Sequence, residues 1–227
     1  LKDFEVIKVK QGIFVTGTDT GIGKTLVSSL LVSALRGQGK KANYFKPVQT
    51  GTELDTHRVA HLSGMNPEEM VQPVYSFQTP ASPHRAAAHE RQEIHLETIQ
   101  KAWNQMDDGF WVLEGAGGIL VPLTQNQTIR DLIQMLQLPI LVVASARLGT
   151  INHTLLTLEA AQKAKISVRG IVLSGSEDPE LESIFAQLTS VPVISRIPSL
   201  PEETPERIYQ VAQECFQPET LRYLYDC

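Results

Sequence analysis

The chain has 227 residues, 42% of them apolar and 20% charged, which is enough to enclose one large core and too apolar for a disordered or collagen-like chain. Its 20 Lys and Arg against 25 Asp and Glu leave a formal charge of −5, so it has no overall attraction to nucleic acid or anionic lipid, and a small-molecule partner is expected. Two cysteines, Cys215 and Cys227, are too few to staple a fold or build a four-ligand metal site, which fits a reducing cytoplasm.

The longest apolar runs, residues 140–144 and 110–113, fall far short of a membrane-spanning helix. The first ten residues carry Asp3 and Glu5 among the lysines and lack the apolar stretch of an export signal. Along the chain, short β-branched runs alternate with longer segments of helical period. That is the pattern of βαβ units around a buried parallel sheet, so a single α/β domain with a mostly parallel sheet of about seven strands is expected.

A strand over 12–16 opens the series, and a helix over 25–37 places Leu26, Leu30, Leu31, Ala34 and Leu35 on one face before Gly37 and Gly39 stop it. A strand at 42–46, a helix at 54–62 and a strand at 71–77 follow, with Pro80 and Pro83 in a connection. Next come a helix at 96–106, a strand at 110–114, a connection holding Pro122, and a helix at 129–136. The pattern closes with strands at 139–144, 168–173 and 191–194 and helices at 150–163, 179–188 and 205–215. The tail over 217–227 reads as able to fray, and no linker or internal repeat divides the domain.

The first strand runs through Gly17-Thr-Asp-Thr-Gly-Ile-Gly-Lys-Thr25 directly into a helix, the setting of a phosphate-binding loop. The usual pattern has four residues between its two glycines, whereas Gly17 and Gly23 have five. The physics survives: Gly21 and Gly23 let the backbone aim N–H groups at phosphate oxygens, Lys24 adds positive charge, and the Thr25 hydroxyl suits Mg²⁺. The bland alternative is a glycine turn capping the helix.

Lys46 ends the second strand just before Pro47, which places its ammonium at the C-terminal edge of the sheet, where ligands bind in open α/β folds. Its alternative is an ordinary solvated lysine. Glu114 closes the strand at 110–114 and precedes Gly115-Ala-Gly-Gly118, as a Mg²⁺- or phosphate-side acid or as a plain turn residue. Asp55 reads equally as a ligand and as a first-turn helix carboxylate. Arg147-Leu-Gly-Thr-Ile-Asn-His153 opens a helix suited to an anion such as a carboxylate, or is simply a helix capped by Thr150. His84, His89 and His95 lack metal-site spacing, and Met65, Trp103, Trp111, Tyr209, Tyr223 and Tyr225 read as packing.

Four segments together resemble the dethiobiotin synthetase family, ATP-dependent cyclisation enzymes of biotin synthesis. They are Val15-Thr-Gly-Thr-Asp-Thr-Gly-Ile-Gly-Lys-Thr25, Tyr44-Phe-Lys-Pro-Val-Gln-Thr-Gly51, Val112-Leu-Glu-Gly-Ala-Gly-Gly118 and Arg147 to His153, with Pro80-Ala-Ser-Pro-His-Arg-Ala86 in support. The resemblance implies a homodimeric P-loop NTPase-like fold. It implies a reaction of 7,8-diaminononanoate, CO2 and MgATP that gives dethiobiotin, ADP and phosphate through a carbamate and a carbamic-phosphoric anhydride.

By the same resemblance, Gly21, Ile22, Gly23, Lys24, Thr25 and Leu26 would hold the ATP phosphates, with Gly115, Ala116 and Gly117 beside them. Thr25, Asp55 and Glu114 would surround Mg²⁺, and Lys46 and Lys24 would be the catalytic lysines. Thr50 would contact the diamine together with Lys46. Leu148, Gly149, Thr150, Ile151 and Asn152 would bind its distal carboxylate from the neighbouring subunit. Ser174, Gly175, Pro198, Ser199 and Leu200 would wall the base pocket, although Ser174 stands where the family often has an asparagine able to read adenine.

Partitioning-type switch ATPases share the phosphate loop but typically add a lysine near its start, where this chain has Thr18, Asp19 and Thr20. A domain that kept the fold and lost catalysis would lack Lys46 or Glu114, and both are present.

Overall fold

The computed structural model describes residues 10–175 and 178–225. The stretch tested for an export signal falls almost wholly on 1–9, and Cys227 ends the chain; both lie outside the described residues.

Six strands form one parallel sheet: β1 (Gln11–Gly17), β2 (Ala42–Phe45), β5 (Phe110–Gly118), β6 (Ile140–Ser145), β7 (Val168–Ser174) and β8 (Val193–Ile197). Their spatial order is β2-β5-β1-β6-β7-β8. Side chains alternate between faces along a strand, and here both faces are covered. Phe14, Trp111, Leu113 and Val142 share one core with α4 (Leu96–Gln105) and α5 (Ile129–Leu136). Ile13, Val15, Val112 and Leu141 share the other with α1 (Lys24–Gly37) and α8 (Pro205–Cys215). Burying each such side chain stabilises by about 2 kcal/mol, which is why the strands read as unbroken apolar runs.

Short β3 (Val48–Thr50) and β4 (Tyr75–Phe77) pair with each other in a separate parallel ribbon. The mostly parallel central sheet is as expected, with six strands for the about seven foreseen; the strand foreseen at 71–77 is corrected to its last three residues and lies outside that sheet. The cause is Pro47, whose carbonyl accepts from the Val74 and Tyr75 amides at 3.0 and 3.2 Å and turns the chain onto β4 directly after β2. The strand foreseen at 191–194 lies two residues further on, after Pro192.

The helices at α5, α6 (Thr150–Lys163), α7 (Pro179–Leu188) and α8 have the expected bounds, and α2 (Asp55–Ser63) lies within a residue of them. Local chemistry fixes these ends. Thr128 caps α5 in reciprocal exchange with Asp131, and the Thr204 hydroxyl accepts from the Arg207 amide at the start of α8. Two helices escaped the periodicity reading. Pro83 is not in a connection but sits in the first turn of α3 (Pro83–His89), where its missing N–H is no loss. The tail carries a further helix, α9 (Pro218–Tyr225), on which Leu221 and Leu224 are buried and Tyr225 stacks on Phe110 at 5.2 Å between ring centroids.

Candidate active site

A cleft of about 740 Å³ opens at the C-terminal edge of the sheet. The loop between β1 and α1 forms one side, with Gly21 and Gly23 at φ +70° and +96°, in the left-handed region that favours glycine. A Cβ on Gly23 would also fall 2.5 Å from Ser174 Oγ. No side chain caps α1 at Gly23, and Gly23, Lys24, Thr25 and Leu26 line the cleft, which makes this helix start a ready anion site.

The strand order brings the charged residues together. In register, Val15 of β1 lies beside Glu114, and Phe45 of β2 lies beside Leu113, so Lys46 emerges next to Glu114. Glu114 is 1% exposed and Lys46 6%, so neither is the solvated turn residue or solvated lysine of the alternative readings. Lys46 Nζ donates to Glu114 Oε1 at 3.0 Å and also to Asp55 Oδ2. Glu114 Oε2 accepts from Ser28 Oγ at 2.9 Å and from the Tyr44 hydroxyl at 3.0 Å. Lys46 and Glu114 therefore both have partners, without which a buried charge would cost several kcal/mol.

Burial alone would lower the Lys46 pKa, but the charges of Glu114 and Asp55 outweigh it and raise the value, so the ammonium persists. Burial, reinforced by Glu114, pushes the Tyr44 phenol well up and keeps it a neutral donor. Burial lowers Lys24, with Glu114 partly offsetting it; its Nζ donates to the Asp19 carbonyl at 3.0 Å.

Thr25 Oγ1 lies 3.0 Å from both Asp55 Oδ1 and Glu114 Oε1. One hydroxyl carries one proton and satisfies only one of those oxygens. Three hard oxygen donors converge there, which is the donor chemistry that Mg²⁺ takes. Among the described residues no group of three or more His, Cys, Asp or Glu gathers as a metal site.

Of the residues expected at the site, Gly21, Gly23, Lys24, Thr25, Leu26, Lys46, Thr50, Asp55, Glu114, Ala116 and Gly117 line the cleft. Ile22 does not; its side chain is buried in the α1-side core. Gly115 packs inward, where a Cβ would meet the Phe14 ring at 2.9 Å. Ser174, the last residue of β7, sits against Gly23 of the phosphate loop, and Gly175, Pro198, Ser199 and Leu200 follow the ends of β7 and β8; none of the five lines the cleft, and the Gly175 amide donates to the Ile197 carbonyl.

Leu148, Gly149, Thr150, Ile151 and Asn152 are also absent from the cleft wall, at the start of α6. Thr150 does not cap that helix: Gly149, at φ +92°, is the N-cap, and the buried Thr150 hydroxyl has no hydrogen-bond partner among the described residues.

Sequence reasoning missed Ser28, Tyr44, Gln49, Glu53, Arg58 and Glu203. Arg58 Nη2 donates to Glu203 Oε2 at 2.5 Å, and both line the cleft. The period of two that sets Tyr44 on the face of Lys46, and the i, i+3 spacing of Thr25 and Ser28, were available signals. For Arg58 and Glu203, 145 residues apart, there was none.

A protein-family model described as an AAA domain matches residues 11–207. An ATP-dependent dethiobiotin synthetase of Agrobacterium fabrum is 41% identical over 204 residues, covering 89% of this chain and 92% of that protein. Its counterpart in Rhodopseudomonas palustris is 42% identical over 198 residues, covering 86% and 89%. Solved structures with the same fold include the MinD cell division protein of Aquifex aeolicus, at 12% identity and TM-score 0.55, covering 90% of this chain and 95% of that one. A ParA family ATPase from Chlorobium tepidum has 12% identity and TM-score 0.56, covering 96% and 97%. At that identity the likeness to these two proteins is one of fold alone.

Proposed function

The chain belongs to the ATP-dependent dethiobiotin synthetase family, ligases of biotin biosynthesis, and from that premise we propose how its own residues serve the reaction. The substrates are 7,8-diaminononanoate, CO2 and ATP. One amine adds to CO2, losing a proton, to give a carbamate. A carbamate oxygen then takes the γ-phosphoryl group as ADP leaves, and the second amine attacks the carbonyl carbon, expelling phosphate and closing the cyclic urea.

Negative charge builds on the carbamate and phosphoryl oxygens at each stage. Lys46 and Lys24, fixed at the cleft floor and phosphate loop, stabilise it without exchanging protons; such pre-organised charge is commonly the largest catalytic contribution. Thr25, Asp55 and Glu114 would hold Mg²⁺, which when bound neutralises phosphate charge. The amides from Gly21 to Leu26 bind the phosphates, Ala116 and Gly117 line the facing wall, and Thr50 contacts the diamine.

The distal carboxylate is bound by Leu148 to Asn152 of a second subunit. Support comes from the fully exposed Leu148 and the half-exposed Leu120 and Leu156, apolar surface suited to a partner. No described helix is long and apolar enough to cross a membrane, and we place the enzyme in the cytoplasm.

The convergence of Lys46 and Thr25 on the two carboxylates, the buried Glu114 and Asp55, carries this reading. Phosphate release with MgATP and bicarbonate, with and without the diamine, tests it. Diamine-dependent release matched by cyclic urea is expected, and release indifferent to the diamine overturns it. Repeating the assay with CTP and GTP ranks the nucleotides at a pocket that has Ser174 in place of an amide.

A further inference from the structure

Between β3 and α2 the chain turns through residues 51–54, with Gly51 at φ +88°. α2 begins at Asp55, and its N-cap Leu54 makes no capping hydrogen bond. The first amides of a helix need acceptors from outside it. Gln49, 3% exposed, supplies one: its Oε1 accepts from the Asp55 amide at 3.3 Å. Nε2 of the same side chain donates to the Thr50 carbonyl at 3.0 Å and to the Glu53 carbonyl at 2.8 Å. A neutral carboxamide carries the acceptor and both donors in one plane, which neither a hydroxyl nor a carboxylate does.

We propose that Gln49 is a positioning residue: it holds Asp55, at the carboxylate cluster, and Thr50, on the cleft wall, at a fixed separation, and so sets the affinity of the site for Mg²⁺ and for the diamine. The proposal rests on the ligand roles given above to Asp55 and Thr50. The Asp55 carboxylate is tied to Thr25 and Lys46, but its backbone is tied to Gln49. Without the carboxamide, the first turn of α2 is free to shift, and the Asp55 oxygens lose their fixed place beside Thr25. Groups that orient metal ligands in this way typically contribute about ten- to a hundredfold in affinity.

Gln49→Met keeps the side-chain length and removes all three hydrogen bonds. Ser63→Ala, at the far end of α2, removes the bond from Ser63 Oγ to the Val59 carbonyl at 2.7 Å and serves as the stability control. Calorimetric titration of each full-length protein with ADP, in Mg²⁺ and in EDTA, reads positioning without needing turnover. Gln49→Met is expected to weaken Mg²⁺-dependent ADP binding by about tenfold and to raise the half-saturating diamine concentration, while binding in EDTA stays within about twofold. Ser63→Ala changes Tm only.

Gln49→Glu, which keeps an acceptor for Asp55 but turns an oxygen toward the Thr50 and Glu53 carbonyls, is expected to need more diamine. Equal Mg²⁺-dependent binding in wild type and Gln49→Met overturns the proposal, whatever their Tm. Should Gln49→Met not fold, Gln49→Glu decides: an unchanged diamine requirement overturns it. If Gln49→Met loses Mg²⁺-dependent binding that wild type has, but wild type lacks diamine-dependent turnover, the positioning role stands and the reading of the reaction falls.

Discussion

Lys46 is a permanent charge because two carboxylates outweigh the burial that would otherwise neutralise it. Its folded pKa is raised above 10.5, so its contribution to stability is complete below 10.5 and is lost only as pH rises through the higher folded value. Lys46→Gln removes the charge but keeps an N–H donor facing Glu114. Turnover should fall by well over tenfold while nucleotide affinity stays nearly intact, as read by phosphate release and by calorimetry with ADP. Unchanged turnover would remove Lys46 from the chemistry.

Lys46 and Glu114 were legible because each ends an apolar strand, which in a parallel sheet means the ligand edge. Asp55 was ambiguous because it is a first-turn helix residue as well as a partner of Thr25. Arg58 and Glu203 were invisible because only the fold closes the distance between them.

Whole elements were legible where one period dominated, as in α4 and α5, and hidden where a short segment showed no clear period, as in β3, α3 and α9. One contact between elements has a measurable signature. Arg36, in the last turn of α1, grips both oxygens of Glu69 at 2.8 and 3.0 Å, and Glu69 also accepts from the Asn66 amide at 2.7 Å. The Arg36 hydrogen bond leads in holding the Glu69 carboxyl below its usual 4.5. A depressed carboxylate stabilises the fold above its unfolded pKa, and that stability is lost as pH falls through the folded value. Glu69→Gln should therefore cost about 1 kcal/mol at neutral pH and close to nothing at pH about 2, with thermal melts across that range as the measurement. An equal deficit at both ends would assign the loss to packing.

At the scale of the whole molecule, the spatial order β2-β5-β1 assembles the site: it sets Glu114 between the phosphate loop and Lys46, although Lys46 and Glu114 are 68 residues apart. Strand order is a long-range property that local periodicity does not encode. The same topology carries the 148–152 segment from β6 to the start of α6, away from the cleft wall of its own chain. If that segment serves the diamine in a second subunit, as proposed, the exposed apolar side chains beside it are the surface to test for joining the two. Leu148 is fully exposed and Leu156, on α6, is 55% exposed, so isolated subunits would leave both in water. Leu148→Glu places a charge on that face without touching the phosphate loop. It should weaken self-association in sedimentation equilibrium and raise the half-saturating diamine concentration by about tenfold, while ADP binding in Mg²⁺ stays at the wild-type value. A dimer of undiminished strength with unchanged diamine saturation would place the carboxylate pocket elsewhere. Loss of both together, reversed at high protein concentration, would make the diamine site a property of the pair.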